Sequence, residues 1–207
     1  PKPDVYVSHL NGAGHPMMGY SDPTIAVEGV VWHRMVGTLW GTDSWFHQGK
    51  AATEYGIGVA ATDGVNSAGQ IIEWIDPANG HWYGHSSGPV SDPYGDGLRF
   101  VNRFGVARVN PQTVAIEISG NYDTPLDDAS RESLVALTAY FADQRQIPWS
   151  EFPNVPDQAR SFVMWHQEFT IGTGKVCPGD VVIGETSPLI NEVAEYLRGY
   201  QEQAGPQ

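Results

Sequence analysis

The sequence predicts an α/β fold, a single domain with a central mixed β-sheet flanked by α-helices. Three observations predict it. Apolar stretches with period-2 alternation recur around 26–35, 113–120 and 161–169. Stretches with apolar residues at helical spacing lie between and after them, around 124–146 and from 187 onward. The 207 residues are 41% hydrophobic and 17% charged, with seven Trp, nine Tyr and seven Phe, which supplies one sizeable core and is too apolar for disorder.

Taken in order, residues 1–24 are rich in Gly, Pro and His and read as an N-terminal arm on the domain surface, with His9 and His15 as solvated loop histidines. Ala26–Met35 reads as a buried strand. Val27, Gly29, Val31 and His33 share one face, and Val30 and Trp32 the other. Residues 37–53 read as a loop with a short helix around Thr42–Gln48, where Asp43 and Ser44 are candidate caps. Trp40, Trp45 and Phe46 in this stretch suit either a groove or the core.

The stretch 54–76 reads as a hairpin whose turn chemistry comes from Asp63-Gly64 and Ser67-Ala68-Gly69. Residues 79–105 read as a long Gly/Pro/aromatic loop carrying His81 and His85, of a length usually tied to function. Thr113–Gly120 is the cleanest strand. It carries Glu117 on one face with Ala115 and Ser119, where a carboxylate needs a partner or a task.

A helix follows, with Thr124 as its N-cap, Pro125 at its first position and Asp127-Asp128 set against its dipole. Its packing stripe is Leu126, Leu134, Leu137 and Phe141. After a Pro-rich connection, Ser161–Phe169 reads as a strand with Phe162, Met164 and His166 on one face. Ser187-Pro188 open a last helix, with Ile190, Val193 and Leu197 as its stripe, and residues 201–207 read as a polar tail or linker.

Charge narrows the function classes. A net charge of −13 argues against nucleic acid, whose phosphates need a basic footprint, and against anionic membranes. No apolar run reaches the roughly 18 residues of a membrane span. The single Cys excludes an intramolecular disulfide. The first residues lack a charged-then-apolar signal pattern and do not begin with Met, so a processed product or a piece of a longer chain is expected.

The chemistry concentrates in Trp165–Asp180, which holds His166, Lys175 and the lone Cys177 among glycines. Imidazole and thiolate together suit zinc, and His33 at a strand end is the candidate third ligand. Two His and one Cys leave a fourth position for water, the open arrangement of a catalytic site. Glu117 could take or relay a proton, and Lys175 could neutralise an oxyanion. Together these parts describe metal-assisted hydrolysis of an amide.

These residues resemble the zinc-dependent N-acetylmuramoyl-L-alanine amidases of the amidase-2 type, the group that includes phage endolysins and peptidoglycan recognition proteins. The resemblance rests on VVWHRM, EYGIGVAATDG…GQIIEWI, WYGHSSG, TVAIEISG, WHQEF and GKVCPG, and covers roughly residues 25–200. It implies an amidase-2/peptidoglycan-recognition-type fold, His33, His166 and Cys177 as Zn2+ ligands, Lys175 as transition-state stabiliser and Glu117 as acid/base.

The resemblance is imperfect at one place. Where other members carry a catalytic tyrosine before the hairpin strand, this chain has Thr53, then Glu54 and Tyr55. Glu54 is therefore a second acid/base candidate. Glu54, Tyr55, Trp82 and His85 are the candidate substrate contacts, His85 in a groove binding muropeptide. The stretches 37–52 and 84–105 exceed a minimal member of the family.

The implied reaction is cleavage of the amide between N-acetylmuramic acid and L-alanine in bacterial peptidoglycan. The implied setting is a phage or prophage lysin domain acting on the cell wall, released from the host cytoplasm or secreted. A monomer is expected, with a wall-binding module fused beyond the C-terminus. The competing readings are a peptidoglycan-binding module without catalysis, a zinc peptidase acting within the stem peptide, and a glycosidase using Glu54 and Glu117.

Overall fold

The computed structural model describes residues 2–10, 19–20, 27–48, 61, 63–76, 81–82, 95–150, 152, 162–169 and 176–204, with the side chains of 19–20 and 81–82 outside that description. The strands are β1 (Tyr6–Val7), β2 (Gly19–Tyr20), β3 (Gly29–Arg34), β4 (Asp63–Val65), β5 (Ile71–Glu73), β6 (His81–Trp82), β7 (Thr113–Ile118) and β8 (Val163–Trp165). The helices are α1 (Leu39–His47), α2 (Gly95–Phe104), α3 (Val109–Gln112), α4 (Asp128–Gln144), α5 (Asp180–Gly184) and α6 (Thr186–Ala204), with 3-10 turns at Val106–Arg108 and His166–Phe169. Six strands form one mixed sheet in the order β1-β5-β4-β7-β3-β8, and β2 pairs with β6. Among the described strands of the large sheet, only β4 and β5 run antiparallel. The predicted α/β architecture is the one observed.

The period-2 pattern of β3 explains the layers. Val30 and Trp32 enter a large cluster with Ile116 and Ile118 of β7, Leu134, Leu137 and Phe141 of α4, and Leu189, Val193 and Leu197 of α6. Trp32 is fully buried and its indole N–H donates to Thr138 Oγ1 at 3.3 Å, so the one polar atom of that ring has a partner. On the opposite face the packing splits in two. Leu39 and Phe46 of α1 close over Ile72, Trp74 and Ala115. Phe100 of α2 closes over Val31, Met164 and Phe169.

The parallel register sets His33 beside Glu117, and Glu117 beside Gly64. Gly64 has to be Gly, because a Cβ there would come 2.5 Å from the Trp74 ring and 2.6 Å from Leu39.

Several sequence expectations shift. The N-terminal arm is more than a surface strap, since β1 extends the sheet along β5 and Leu10 is buried in the α1 cluster. His9 is not a solvated loop histidine: its Nε2 lies 2.8 Å from Oε1 of the buried Glu73, which Lys2 also contacts. Asp63-Gly64 is strand rather than turn. The turn is made by Asn66, whose Oδ1 accepts the N–H groups of Ala68 and Gln70 at 3.0 and 2.9 Å.

Thr38, not Asp43 or Ser44, caps α1, its Oγ1 accepting from Gly41 N–H at 3.1 Å. Asp127, not Thr124, caps α4, accepting from Ser130 N–H at 2.8 Å, while Thr124 closes a turn by accepting from Asn121 N–H at 2.9 Å. The stretch predicted as loop through Gly105 carries the ten-residue helix α2. The predicted tail is helical as far as Ala204, and Gln201 accepts from Trp149 N–H at 3.1 Å. Among the described residues no helix is long and apolar enough to cross a membrane.

Candidate metal centre

The seam between the α1 and α2 clusters is where His33 emerges. It follows Val31 by one strand period, at the end of β3, and is 3% exposed. Trp32 pairs with Trp165 across β3 and β8, so the next residue, His166, comes beside His33. The two imidazole centroids are 4.3 Å apart. His166 is not a strand residue as the sequence suggested, but the first residue of the 3-10 turn that ends β8.

The turn is also bonded to the third residue of the set, since Gln167 N–H donates to Cys177 O at 2.8 Å. Cys177 is 5% exposed, and its Sγ accepts the backbone N–H of Arg34 at 3.2 Å. An N–H aimed at sulfur favours thiolate over thiol.

One ligand atom each from His33, His166 and Cys177 lies within 4.8 Å of the other two. Tetrahedral zinc bonds of about 2.0–2.3 Å place donors roughly 3.5 Å apart, so the three side chains would draw in slightly around an ion. The donor set therefore fits a soft divalent ion with one position left for solvent or substrate. The sequence-derived ligand trio is brought together.

Glu117 stands at the edge of the trio. Its Oε1 is 3.9 Å from His33 Nδ1, beyond hydrogen-bond length, and its Oε2 has no hydrogen-bond partner among the described residues. Burial pushes its carboxyl up to about 8. Such a group exchanges a proton near neutral pH, as a general acid/base must.

Sequence reasoning missed two contributors. Tyr122 is 38% exposed on the turn after β7. Its phenol is raised by desolvation and then by the charges of Cys177 and Glu117, which sets it at the rim of the same site. Gly179 packs so closely on the Tyr122 backbone that a Cβ would collide with it, and its φ of 94° also favours glycine. Arg34 is buried, with its guanidinium donating to Ser119 O at 2.8 Å and to Thr124 O. That side chain holds the turn carrying Tyr122 while its backbone serves Cys177. The signal for Arg34 was its place next to His33 at a strand end; Tyr122 had none in the sequence. Lys175, Glu54, Tyr55 and His85 lie outside the described residues, as does the side chain of Trp82.

The fold recurs in solved structures of low identity. An endolysin N-acetylmuramoyl-L-alanine amidase, LysCS from Clostridium intestinale, superposes with TM-score 0.57 at 14% identity, over 91% of this chain and 97% of that one. AmpD does so with TM-score 0.57 at 18% identity over 84% and 90%. Drosophila PGRP-LB does so with TM-score 0.53 at 11% identity over 89% and 94%. No curated protein matches in sequence. The model of the family described as N-acetylmuramoyl-L-alanine amidase matches residues 23–180, which takes in β3, β7, β8 and all three candidate ligands, and the chain belongs to that family.

Proposed function

We propose that this protein is a zinc-dependent peptidoglycan hydrolase that cleaves the amide between N-acetylmuramic acid and L-alanine. Family membership supports peptidoglycan amidase chemistry. The observation that carries the metal-dependent reading is the compact His33, His166 and Cys177 set with a half-buried carboxylate beside it.

Zinc held by those three side chains would supply Lewis-acid activation, bringing water to a pKa of about 7. The protein's own groups would then act as follows. Arg34 N–H, donating to Cys177 Sγ, would support the thiolate form that ligates a metal. Glu117 takes the proton from the attacking water through Oε2 and returns it to the leaving amine of L-alanine. Lys175 offers an ammonium to the developing oxyanion. Glu54, Tyr55, Trp82 and His85 form substrate contacts, with the aromatic rings against sugar or peptide. The setting is the bacterial wall, for a monomeric lysin-type catalytic domain joined to a separate wall-binding module.

Product analysis on purified peptidoglycan tests the reading. New L-alanine amino termini that vanish with a chelator and return with zinc are expected. New reducing sugar ends would assign glycosidase activity and overturn it. New amino termini from within the stem peptide would make the protein a peptidase, and wall binding without new ends would make it a recognition module.

A further inference from the structure

Glu168 lies two residues beyond His166 and is 1% exposed. Its Oε2 accepts the backbone N–H of Trp165 at 2.8 Å, and its Oε1 accepts the backbone N–H of Asp96 at 3.1 Å. The first bond is the reach-back half of a capping box, from the third residue of a turn to the residue before it. It ends β8 at Trp165 and makes His166 the first residue of the turn. The second bond lies at the N-terminus of α2, whose free N–H groups and dipole favour a negative charge.

The packing here leaves little slack. A Cβ on Gly95, at φ 53°, would come 2.6 Å from Glu168 Oε1, and one on Gly97 would come 2.9 Å from both Glu168 Cβ and its carbonyl oxygen. The same short turn is bonded on its other side to Cys177 O through Gln167 N–H.

We infer that Glu168 is a positioning residue for the metal centre, its carboxylate fixing the turn that aims His166 at His33 and Cys177 and bonding that turn to the first residues of α2. The inference rests on the metal-dependent reading above and assigns the orientation of His166 to one side chain. A carboxylate suits the task because both of its oxygens accept, and each faces a backbone N–H from a different element. Glutamine keeps the size but has one accepting oxygen and turns an NH2 group toward the other N–H. A residue that served only to anchor α2 would change stability without changing how the folded protein holds a metal.

The test is zinc affinity by chelator competition, with the visible spectrum of the Co2+ form, for the wild type, Glu168→Gln and Gly95→Ala. Glu168→Gln is expected to bind zinc about 10- to 100-fold more weakly and to show an altered Co2+ spectrum. Gly95→Ala leaves the carboxylate in the chain but crowds its Oε1 off Asp96 N–H, so a smaller change in the same direction is expected. Wild-type zinc affinity and an unchanged spectrum in Glu168→Gln, whatever its melting temperature, overturn the inference alone. If that variant does not fold, Gly95→Ala decides on the same two readouts. A wild type that binds neither ion overturns both the inference and the amidase reading.

Discussion

The two faces of the sheet are built to different plans. On the α4/α6 face one continuous apolar cluster runs from Val30 and Trp32 to Leu197. On the α1/α2 face two smaller clusters leave a seam, and the seam holds His33, Glu117 and Cys177. One strand serves both plans, because Trp32 and His33 are adjacent in sequence and point to opposite faces. Stability is concentrated where packing is uninterrupted, and the candidate metal site sits where it is divided. Glu117 Oε2, without a hydrogen-bond partner among the described residues, is the kind of cost that a continuous apolar face on the other side can offset.

Substitutions on each face sharpen the contrast. Glu117→Gln is expected to lower kcat by about 10²- to 10⁴-fold with zinc retained and the urea midpoint little changed. Cys177→Ser in the same assay should lose zinc as well as activity. If the glutamine variant turned over normally, Glu117 would not be the acid/base. Leu134→Ala, on the continuous face, should cost about 2–5 kcal/mol of unfolding free energy while the folded fraction binds zinc as the wild type does. A large change in zinc affinity there would mean that the two faces are energetically coupled.

The smallest effect is expected at Asp63, where a carboxyl group intrudes on the α4 face. This side chain is fully buried, and both its oxygens lack hydrogen-bond partners among the described residues. Burial, then the charge of Glu73, holds its carboxyl well above the usual carboxylate range. The folded protein therefore binds this proton more tightly than the unfolded chain does. Its contribution is most favourable below the unfolded value of about 3.9 and is lost as pH rises toward the folded value. Asp63→Asn should raise the urea midpoint at pH 7, with the gain shrinking toward pH 4. An equal gain at both pH values would trace it to something other than the proton.

What was legible in the sequence follows the same division. β3, β7 and the stripes of α4 and α6 were readable because the continuous cluster imposes clean periods on Val30, Trp32, Ile116, Leu134, Val193 and Leu197. The candidate trio was readable because Cys177 is the lone cysteine, set among glycines, and His33 and His166 each follow an apolar strand pattern. Helix α2 was hidden. Its Gly-Asp-Gly start looks like a loop, and its fold depends on Phe100 finding Val31 and Met164 from distant segments. The caps slipped because Thr124 and Asp127 are both good capping residues, and only the tertiary path of the turn chooses between them. Glu168 was hidden because its partner Asp96 is 72 positions away.

The strand order also bears on when the protein becomes competent during synthesis. β3 is made early but lies between β7 and β8, so it waits for residues 113–118 and then 163–165 before it is flanked. Among the described strands, the β4–β5 hairpin and the β1–β5 pair are the pairings in the large sheet that need no residue beyond Glu73. Long-range parallel pairing of this kind is slow to nucleate. His33 leaves the ribosome first of the ligand trio, and the other two follow only at 166 and 177. A chain stalled or cleaved before β8 carries one of the three candidate ligands, so the metal-dependent reaction proposed above needs a chain that extends past Cys177.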